Sequence, residues 1–326
     1  MNTKKLLIGL TLISLFLIPA GTQFASAANE QIGVGEVGGA ITISTEEMTI
    51  KVTPGQAQIM WWYGNKSNND EMYKLQLVKI QEFQGDDGTL DDRNELGGIA
   101  YNLITEDWEY LIDEGDTELT ITLSLEGLAN GANIYLIMHV YNVDEPINGT
   151  NQVVDGLTEM KFDIIIENWD FTPTAAGVGI QTYMTEVQHR HRVEVRNGTV
   201  AENGNTTRTM QFTSDEYADP VAYVEWATFA DVYNSTDDLI DTIEVGTAYF
   251  DDLASPPTEA PGFAEGLGHL WLTYPNYGDN YKLVHDPLIG INEDAFTATA
   301  PIYWISILGG LFAVGTTFTL IKKRRN

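Results

Sequence analysis

The densest group of potential metal ligands in the sequence is an acidic turn around Gly88. Its carboxylates belong to Asp86, Asp87, Asp91, Asp92 and Glu95. Calcium binds about six to eight oxygen atoms, chiefly from carboxylates and carbonyls, so it is the ion that such a turn would hold. The spacing is not that of an EF-hand, because placing Gly88 at the sixth position leaves Phe83 and Asn94 where acidic residues are required. The turn is either a calcium site of another kind or a solvated acidic loop.

A second candidate metal site is the pair His189 and His191. In an extended segment, residues two apart point to the same face, so both imidazoles would lie on one side of a strand. Such a pair can share zinc or another transition metal if the fold brings up a third ligand. The residues that could supply it are His139, His269, His285 and Glu186. The alternative is two histidines at a half-wetted strand end.

Arginines alternate with these histidines and form a candidate interaction surface. The cluster consists of Arg190, Arg192, Arg196 and Arg208. Arginine forms bidentate contacts with carboxylates that lysine cannot form, so the cluster could dock the acidic surface of a neighbour. The alternative is pairing with carboxylates on adjacent strands of the same sheet.

The remaining motifs concern glycosylation rather than catalysis. N-x-S/T sequons occur at Asn65, Asn148, Asn197, Asn205 and Asn234, all in segments predicted as turns.

Trp61 and Trp62 must face opposite sides of one predicted strand. Core packing is the expectation for the tryptophans, and an exposed platform for sugar is the alternative. No hydrolase elbow, H-E-x-x-H helix or phosphate loop is present, so no residue is predicted to be catalytic and the protein is expected not to be an enzyme.

The elements that would position these residues are strands. Leu119, Ile121, Leu123 and Leu125 alternate with polar residues, as in a strand with one buried and one wetted face. The same period predicts strands at 40–44, 48–53, 58–63, 72–80, 99–104, 119–125, 134–141, 161–167, 178–188, 192–196, 209–213, 221–229, 240–248 and 269–274. The fold class is therefore all-β, an antiparallel β-sandwich of the Ig-like or jelly-roll type. The triplet His285-Asp286-Pro287 is interpreted as a turn.

A stretch rich in Pro, Gly, Asn and Asp suggests how the body is divided. We predict an N-terminal β-sandwich region over 28–143, a linker or long connection over 144–156, a C-terminal β-sandwich region over 157–290 and a juxtamembrane segment over 291–300. A single sandwich with a long connection at 144–156 is the alternative, because β-sandwiches can exceed 200 residues as one domain.

The two ends of the chain predict a type I membrane protein. Lys4 and Lys5 precede a short apolar run, and Ala25-Ser26-Ala27 is a cleavage site, so 1–27 is expected to be a signal peptide. Residues 301–321 are apolar and long enough for a transmembrane helix. The basic tail 322–326 marks the cytoplasmic side. Small residues four apart in the helix, such as Gly309 and Ala313, would also permit self-association.

Charge and cysteine content exclude several classes of function. The chain has 47 acidic and 17 basic residues, and six of the basic ones lie in the leader and the C-terminal tail. The body over 28–300 therefore carries 11 basic residues and a net charge of about −36. Nucleic acid is excluded as a partner because the electrostatic term would be repulsive. The chain has no cysteine, which excludes disulfides, thiolate catalysis and cysteine-ligated metals.

This layout resembles that of archaeal type I membrane-anchored surface proteins. The resemblance consists of the leader, the acidic and sequon-bearing β-rich body without cysteine, the C-terminal apolar segment and the basic run Lys322 to Arg325. No LPxTG motif precedes the segment, and Pro261-Gly262-Phe263, which is similar to an archaeal processing tripeptide, lies well before it. Because no processing motif directly precedes the apolar segment, the anchor is expected to be retained, and the resemblance implies an acidic β-sandwich ectodomain.

The sequence favours a cell-surface protein that contacts extracellular proteins or glycans, or forms a surface coat, and that calcium could stabilise. The expected partners are the membrane, an extracellular protein or glycan, and a second copy of the chain. An extracellular solute-binding or sensory ectodomain that acts with a membrane partner is the alternative. A membrane-tethered metal-dependent hydrolase is a further one.

Overall fold

The computed structural model describes residues 32–64, 72–85, 88–146, 153–186, 192–200, 206–213, 220–248, 262–263, 267–292 and 295. Within these ranges the chain is all-β, as predicted, and every strand pair is antiparallel. The first half of the chain forms β1 (Gly33–Val37), β2 (Ala40–Ser44), β3 (Met48–Thr53), β4 (Gln58–Tyr63), β5 (Tyr73–Phe83), β6 (Leu96–Asn102), β7 (Glu109–Glu114), β8 (Glu118–Leu125), β9 (Asn133–Tyr141), β10 (Glu145–Pro146), β11 (Val153–Val154) and β12 (Glu159–Glu167). The second half forms β13 (Gly177–Glu186), β14 (Arg192–Val200), β15 (Thr206–Thr213), β16 (Ala222–Ala227), β17 (Phe229–Tyr233), β18 (Leu239–Glu244), β19 (Gly246–Ala248), β20 (Gly262–Phe263), β21 (Leu267–Pro275), β22 (Lys282–His285) and β23 (Leu288–Ile291).

Twenty-one of these strands form two sheets that pack face to face, and β10 and β11 pair separately. The small sheet has the order β1-β2-β3-β4-β5-β13-β21-β19, and β6 also pairs with β5. In the large sheet, one edge of β12 pairs with β9, which continues to β8 and β7. The other edge pairs with both β22 and β23. From β22 the sheet continues to β17 and β18, and from β23 it continues to β16, β15, β14 and β20. One continuous apolar core runs between the sheets from Ile32 to Ala295.

Residues on both sides of the predicted linker contribute to both sheets. The small sheet joins β1 to β6 with β13, β19 and β21, and the large sheet joins β7 to β9 with strands from β12 onward. Within 144–156, Glu145–Pro146 pairs with Val153–Val154 as the hairpin β10–β11. The described strands thus form one two-sheet sandwich with a shared core.

Residues 286–287 interrupt a strand rather than forming the turn that the sequence suggested. Ile164 of β12 pairs with His285 of β22, and Lys161 of β12 pairs with Leu288 of β23, so both strands pair with β12 in the same register. The ladder changes at Pro287, which has no N–H to donate, although its carbonyl accepts a hydrogen bond from Phe162 N. Asp286 is therefore held directly beside β12.

Alternation along the strands places apolar residues in the core and polar residues outside. Trp61 is fully buried, and its Nε1 donates to the Gly290 carbonyl of the other sheet at 3.1 Å, whereas Trp62 is half-exposed. The two tryptophans thus face opposite sides, as expected. The rings of Tyr73 and Phe212 lie 5.7 and 6.1 Å from that of Trp61 and extend this contact between the sheets.

A buried carboxylate joins three segments of the sandwich. Glu82 on β5 is fully buried and accepts hydrogen bonds from Ile99 N of β6, Trp169 Nε1, Thr172 N and Thr172 Oγ1, at 2.6 to 3.2 Å. Four donors satisfy both oxygens of the carboxylate, which is the condition for burying such a group.

The described residues contain no helix that is long and apolar enough to cross a membrane. The predicted signal peptide 1–27 and the predicted transmembrane helix 301–321 both lie outside the described residues.

Candidate functional site

A cluster of interacting titratable side chains lies on the outer face of the large sheet. His139 on β9 is opposite Lys161 on β12, and Asp163 follows Lys161 by two residues on the same face. Asp286, in the break between β22 and β23, lies beside them. The side chains of His139, Lys161 and Asp163 are only 14–17% exposed, so the cluster is half-buried although it is on the outside of the sandwich.

The contacts of His139 define its charge state. Its Nδ1 lies 2.5 Å from Glu118 Oε1, and its Nε2 lies 3.3 Å from Asp163 Oδ2. An ionised carboxylate can only accept, so both ring nitrogens must donate and the ring is an imidazolium. Burial lowers the pKa of His139, but the hydrogen bonds that its ring donates to Asp163 and Glu118 outweigh this effect and raise the pKa above the ordinary value.

Lys161 places a second cation between two carboxyls. Its Nζ forms an ion pair with Asp163 and lies 3.6 Å from Asp286 Oδ1. Burial alone would raise the pKa of Asp163, yet His139 and Lys161 lower it below the ordinary value. For Asp286, burial and the neighbouring Asp163 raise the pKa to about 6. The carboxyl of Asp286 can therefore gain or lose a proton near neutral pH.

An aromatic ring and an apolar patch adjoin this ionic network. The ring of Tyr141 stacks on that of His139 with centroids 6.2 Å apart and planes inclined by 6°. Leu288 is directly opposite Lys161, and Val154 of the hairpin β10–β11 is fully buried against Leu288, Tyr141 and Tyr223. The hairpin thus covers one side of the network.

A second perturbed carboxyl lies beneath the same hairpin. Glu159 accepts hydrogen bonds from Tyr223 Oη and from Asp155 N, the latter at 2.7 Å. Burial, together with the charges of Asp155 and Glu225, raises the pKa of Glu159 to about 7. The position of the hairpin is therefore linked to a group that titrates near neutral pH.

Part of the predicted acidic turn is visible, and its carboxylates cap a short 3-10 turn at Arg93–Glu95. Asp92 accepts a hydrogen bond from Asn94 N, and Glu95 Oε2 accepts from Asp91 N and Asp92 N. Asp86 and Asp87 lie outside the described residues. No group of three or more acidic or histidine side chains suited to a metal ion occurs in the described parts of the chain.

The structure does not describe the side chains of the histidine pair or of most of the arginine cluster. His189, Arg190 and His191 lie outside the described residues, and β14 carries Arg192 and Arg196. Arg208 on β15 is half-buried and donates from Nη1 to Thr247 Oγ1 on β19, so this arginine links the large sheet to the small one. Three residues expected to supply a third ligand have described side chains. His139 lies on the outer face of the large sheet, His285 lies in the core and Glu186 is fully buried on β13.

One sequon can be placed in a defined turn. Asn234 Oδ1 accepts hydrogen bonds from Thr236 N, Thr236 Oγ1 and Asp238 N at the exposed end of β17. Asn197 lies on β14 rather than in a turn. Asn65, Asn148 and Asn205 lie outside the described residues.

Sequence reasoning did not find the network of His139, Lys161, Asp163 and Asp286. The alternation on 134–141 and 161–167 placed His139 with Tyr141, and Lys161 with Asp163, on wetted faces. It could not show that β9 pairs with β12, which is the step that brings the imidazole, the ammonium and the carboxylates together.

Comparisons with known proteins add little to this description. No family model matches the sequence, and no curated protein sequence matches it. One similar solved structure is titled "Crystal Structure Analysis of HI1317", with a TM-score of 0.32 and 9% identity, over 83% of this chain and 100% of that chain. A likeness this weak assigns neither a fold family nor a function.

Proposed function

We propose that this chain is a non-enzymatic cell-surface protein whose β-sandwich binds an extracellular protein or glycan through the outer face of the large sheet. The observation that supports the proposal is the half-buried ionic network of His139, Lys161, Asp163 and Asp286. Exposed ion pairs add little stability, so a face that only meets water gains little from such a network. Titratable groups with shifted pKa values occur preferentially at sites of interaction.

The chemistry of the network suits a polar partner. Carboxylates accept hydrogen bonds, and the imidazolium and the ammonium donate them, as the hydroxyls of a glycan or the polar side chains of a protein require. Tyr141 and Leu288 add apolar surface beside the charges, which resembles the mixture of aromatic and polar groups at protein interfaces.

Membrane attachment belongs to the same proposal and is supported by the sequence pattern alone. In this view, leader 1–27 is removed, the helix 301–321 holds the protein in the membrane and the tail 322–326 lies in the cytoplasm. Calcium at Asp86 to Glu95 stabilises the ectodomain, and the sequons carry glycans.

A test of the proposal uses photo-crosslinking on intact cells that express the full chain. A photoreactive residue replaces Ile137, which lies beside Asp163 on the outer face of the large sheet. A matched control replaces Asp279, which is exposed in the turn before β22. We expect a defined adduct from position 137 only, and the double change His139→Ala and Asp163→Asn should weaken it. Equal labelling from both positions, or no adduct at 137, would contradict the proposal.

A solute-binding ectodomain is the second candidate, and the environment of the Asp286 carboxylate favours it. Asp286 Oδ1 is enclosed, and its described polar contact is the ion pair with Lys161 Nζ at 3.6 Å, which is longer than a hydrogen bond. A hydroxyl or amine of a small solute would satisfy it, and the crosslinked species would then be a small molecule rather than a protein or glycan. The metal-dependent hydrolase depends on His189 and His191, which lie outside the described residues.

A further inference from the structure

The outer face of the small sheet differs from the rest of this acidic protein. On β2, β3, β4, β5 and β13, none of the outward positions is Asp or Glu. Lys51, Lys74 and Lys79 all lie on this surface, which we call the small-sheet face, and they are three of the five lysines within the described residues. In a chain with 47 acidic residues, a sheet surface free of carboxylates on five adjacent strands is an unexpected distribution.

The strand register shows how these lysines are arranged. Lys51 is opposite Met60, and Met60 is opposite Lys74, so two ammonium groups lie in one row across three strands. Lys79 lies further along β5, opposite Gln181 of β13. All three lysines are half-buried, and none forms an ion pair with another described residue.

Aromatic side chains share this face with the lysines. Lys74 Nζ is 5.1 Å from the centre of the Tyr183 ring, and burial lowers the pKa of Lys74. Trp62 is half-exposed on β4, two residues from Met60, whereas Trp271 on β21 is buried against Phe83 and Leu90. Cations over aromatic rings with partly removed hydration shells are well suited to receive carboxylates from another molecule.

The opposite side of the sandwich has the complementary charge. The outward strand positions of the large sheet, which we call the large-sheet face, carry nine carboxylates with described side chains against two lysines, Lys161 and Lys282. These carboxylates are Glu109 and Asp113 on β7, Glu118 on β8, Glu159, Asp163 and Glu167 on β12, Glu225 on β16, Asp231 on β17 and Glu244 on β18. One molecule therefore presents a basic and an acidic face on opposite sides.

We infer that the small-sheet face docks on the large-sheet face of a second copy of this chain. This inference rests on the proposed function, since it names the partner of the large-sheet face. The contact joins two different surfaces, so a bound pair of copies leaves one face of each kind free. Such a head-to-tail contact does not close on itself and generates an open row of molecules.

Screening decides whether two strongly acidic bodies can approach. At physiological ionic strength the Debye length is about 8 Å, so repulsion between the distant parts of two sandwiches is largely suppressed. Carboxylate and ammonium groups that meet at contact distance, away from bulk water, are screened much less. The local attraction between the faces can therefore outweigh the net repulsion between the bodies.

The size of the face indicates the strength of the contact. Five strands spaced about 4.8 Å apart, with about six residues of 3.3 Å each, cover roughly 480 Å². A standard stable interface buries about 800 Å² per partner, so this contact is weak in solution. Molecules held on one membrane would associate more readily, because tethering raises their effective concentration.

Charge reversal provides a test that does not depend on knowing any other ligand. The double variant Lys51→Glu and Lys74→Glu makes both faces acidic. The double variant Glu109→Lys and Glu167→Lys reduces the negative charge of the large-sheet face, and these two carboxylates accept no hydrogen bond from any other described side chain or backbone donor. The full chain in detergent is followed by sedimentation velocity across a concentration series at low and high salt.

We expect concentration-dependent association of the wild type at low salt, little association of either variant alone, and recovered association in an equimolar mixture of the two. Recovery in the mixture also shows that both variants are folded. A control, Glu46→Lys with Asp170→Lys, changes charge at two exposed positions beyond the strand ends and should associate like the wild type.

A monomeric wild type at every concentration, or a mixture that fails to associate, would overturn the inference. The proposed function would survive that result if position 137 still crosslinks to another protein or a glycan. Absence of any adduct at position 137, with association intact, would instead contradict the proposed function and would show that the contact between copies does not use the large-sheet face near Asp163.

Discussion

Two histidines near β12 differ in charge, one cationic and one neutral, because different groups face their ring nitrogens. His139 lies between the carboxylates of Glu118 and Asp163, which require protons on both nitrogens. His285 is buried, with Nε2 2.9 Å from the Ala227 carbonyl and Nδ1 3.0 Å from Tyr274 Oη. The carbonyl can only accept, so Nε2 carries the proton and Nδ1 accepts from the tyrosine. Burial lowers the pKa of His285 to about 4, and the ring is neutral.

At the residue scale, the titrations of Glu159 and His285 change the stability of the fold with pH in opposite directions. The pKa of Glu159 is about 7 in the folded chain and 4.5 in a model peptide, so its stabilising contribution is complete below pH 4.5 and is lost as the pH rises through 7. The pKa of His285 is lowered from 6.5, so its contribution is complete above 6.5 and is lost as the pH falls toward 4. The two effects offset each other between pH 4.5 and 6.5.

The variant Glu159→Gln should remove one of these effects. We expect the free energy of unfolding of the variant, relative to the wild type, to be higher at pH 8 than at pH 5 by on the order of 2–3 kcal/mol. Urea denaturation of both proteins at the two pH values measures this difference. The control Glu109→Gln also removes one carboxylate, from the exposed strand β7, and should show a much smaller change between the two pH values.

At the scale of elements, the hairpin β10–β11 depends on a close approach between two backbone segments. A Cβ added at Gly156 would lie 2.6 Å from the Val143 carbonyl carbon, which is closer than packed atoms can come. Gly156 N also donates to Asp144 Oδ1 at 3.1 Å, and Leu157 N donates to the Tyr141 carbonyl. Glycine is therefore required for the hairpin to lie on the large sheet beside Glu159.

The variant Gly156→Ala should displace this hairpin. Inserted atoms in a packed site cost about 1–3 kcal/mol, and we expect a loss of unfolding free energy in that range. The matched control is Gly55→Ala, where an added Cβ meets nothing within 4 Å, and it should change stability by less than about 0.5 kcal/mol. Equal losses in the two variants would show that the close approach at Val143 does not hold the hairpin.

The same scale shows where sequence patterns predict strands and where they do not. β2, β3 and β4 have the predicted bounds, because each alternates between the core and water. β7 was not predicted, since it lies at an exposed edge and carries Leu111 at 67% exposure. The segment predicted as 221–229 divides into β16 and β17, and that predicted as 240–248 divides into β18 and β19, which belong to different sheets. A division between sheets depends on distant partners and leaves no local pattern.

At the scale of the whole molecule, the net charge near −36 over 28–300 opposes compaction. Any salt should therefore stabilise the fold by screening this repulsion. Calcium should act beyond screening if the turn from Asp86 to Glu95 binds it, since calcium favours carboxylate and carbonyl oxygens.

We expect calcium chloride to raise the melting temperature of the full chain above its value in sodium chloride of equal ionic strength. The variant Asp91→Asn should reduce that additional increase, because it removes one carboxylate of the turn without altering the cap formed by Asp92 and Glu95. Identical melting in calcium and in a chelator at matched ionic strength would contradict a calcium site at this turn.

The sequence by itself determined the all-β class and most central strands, because the alternation of apolar and polar residues is a local property with a period of two. It also determined that Trp61 and Trp62 face opposite sides. Only the tertiary structure decided that the strands on either side of 144–156 share one core, since strand pairing joins residues far apart in the chain. The same physical reason applies to the sites. His139, Lys161, Asp163 and Asp286 become a network, and Lys51 and Lys74 become one row, only when the strand order and register are known.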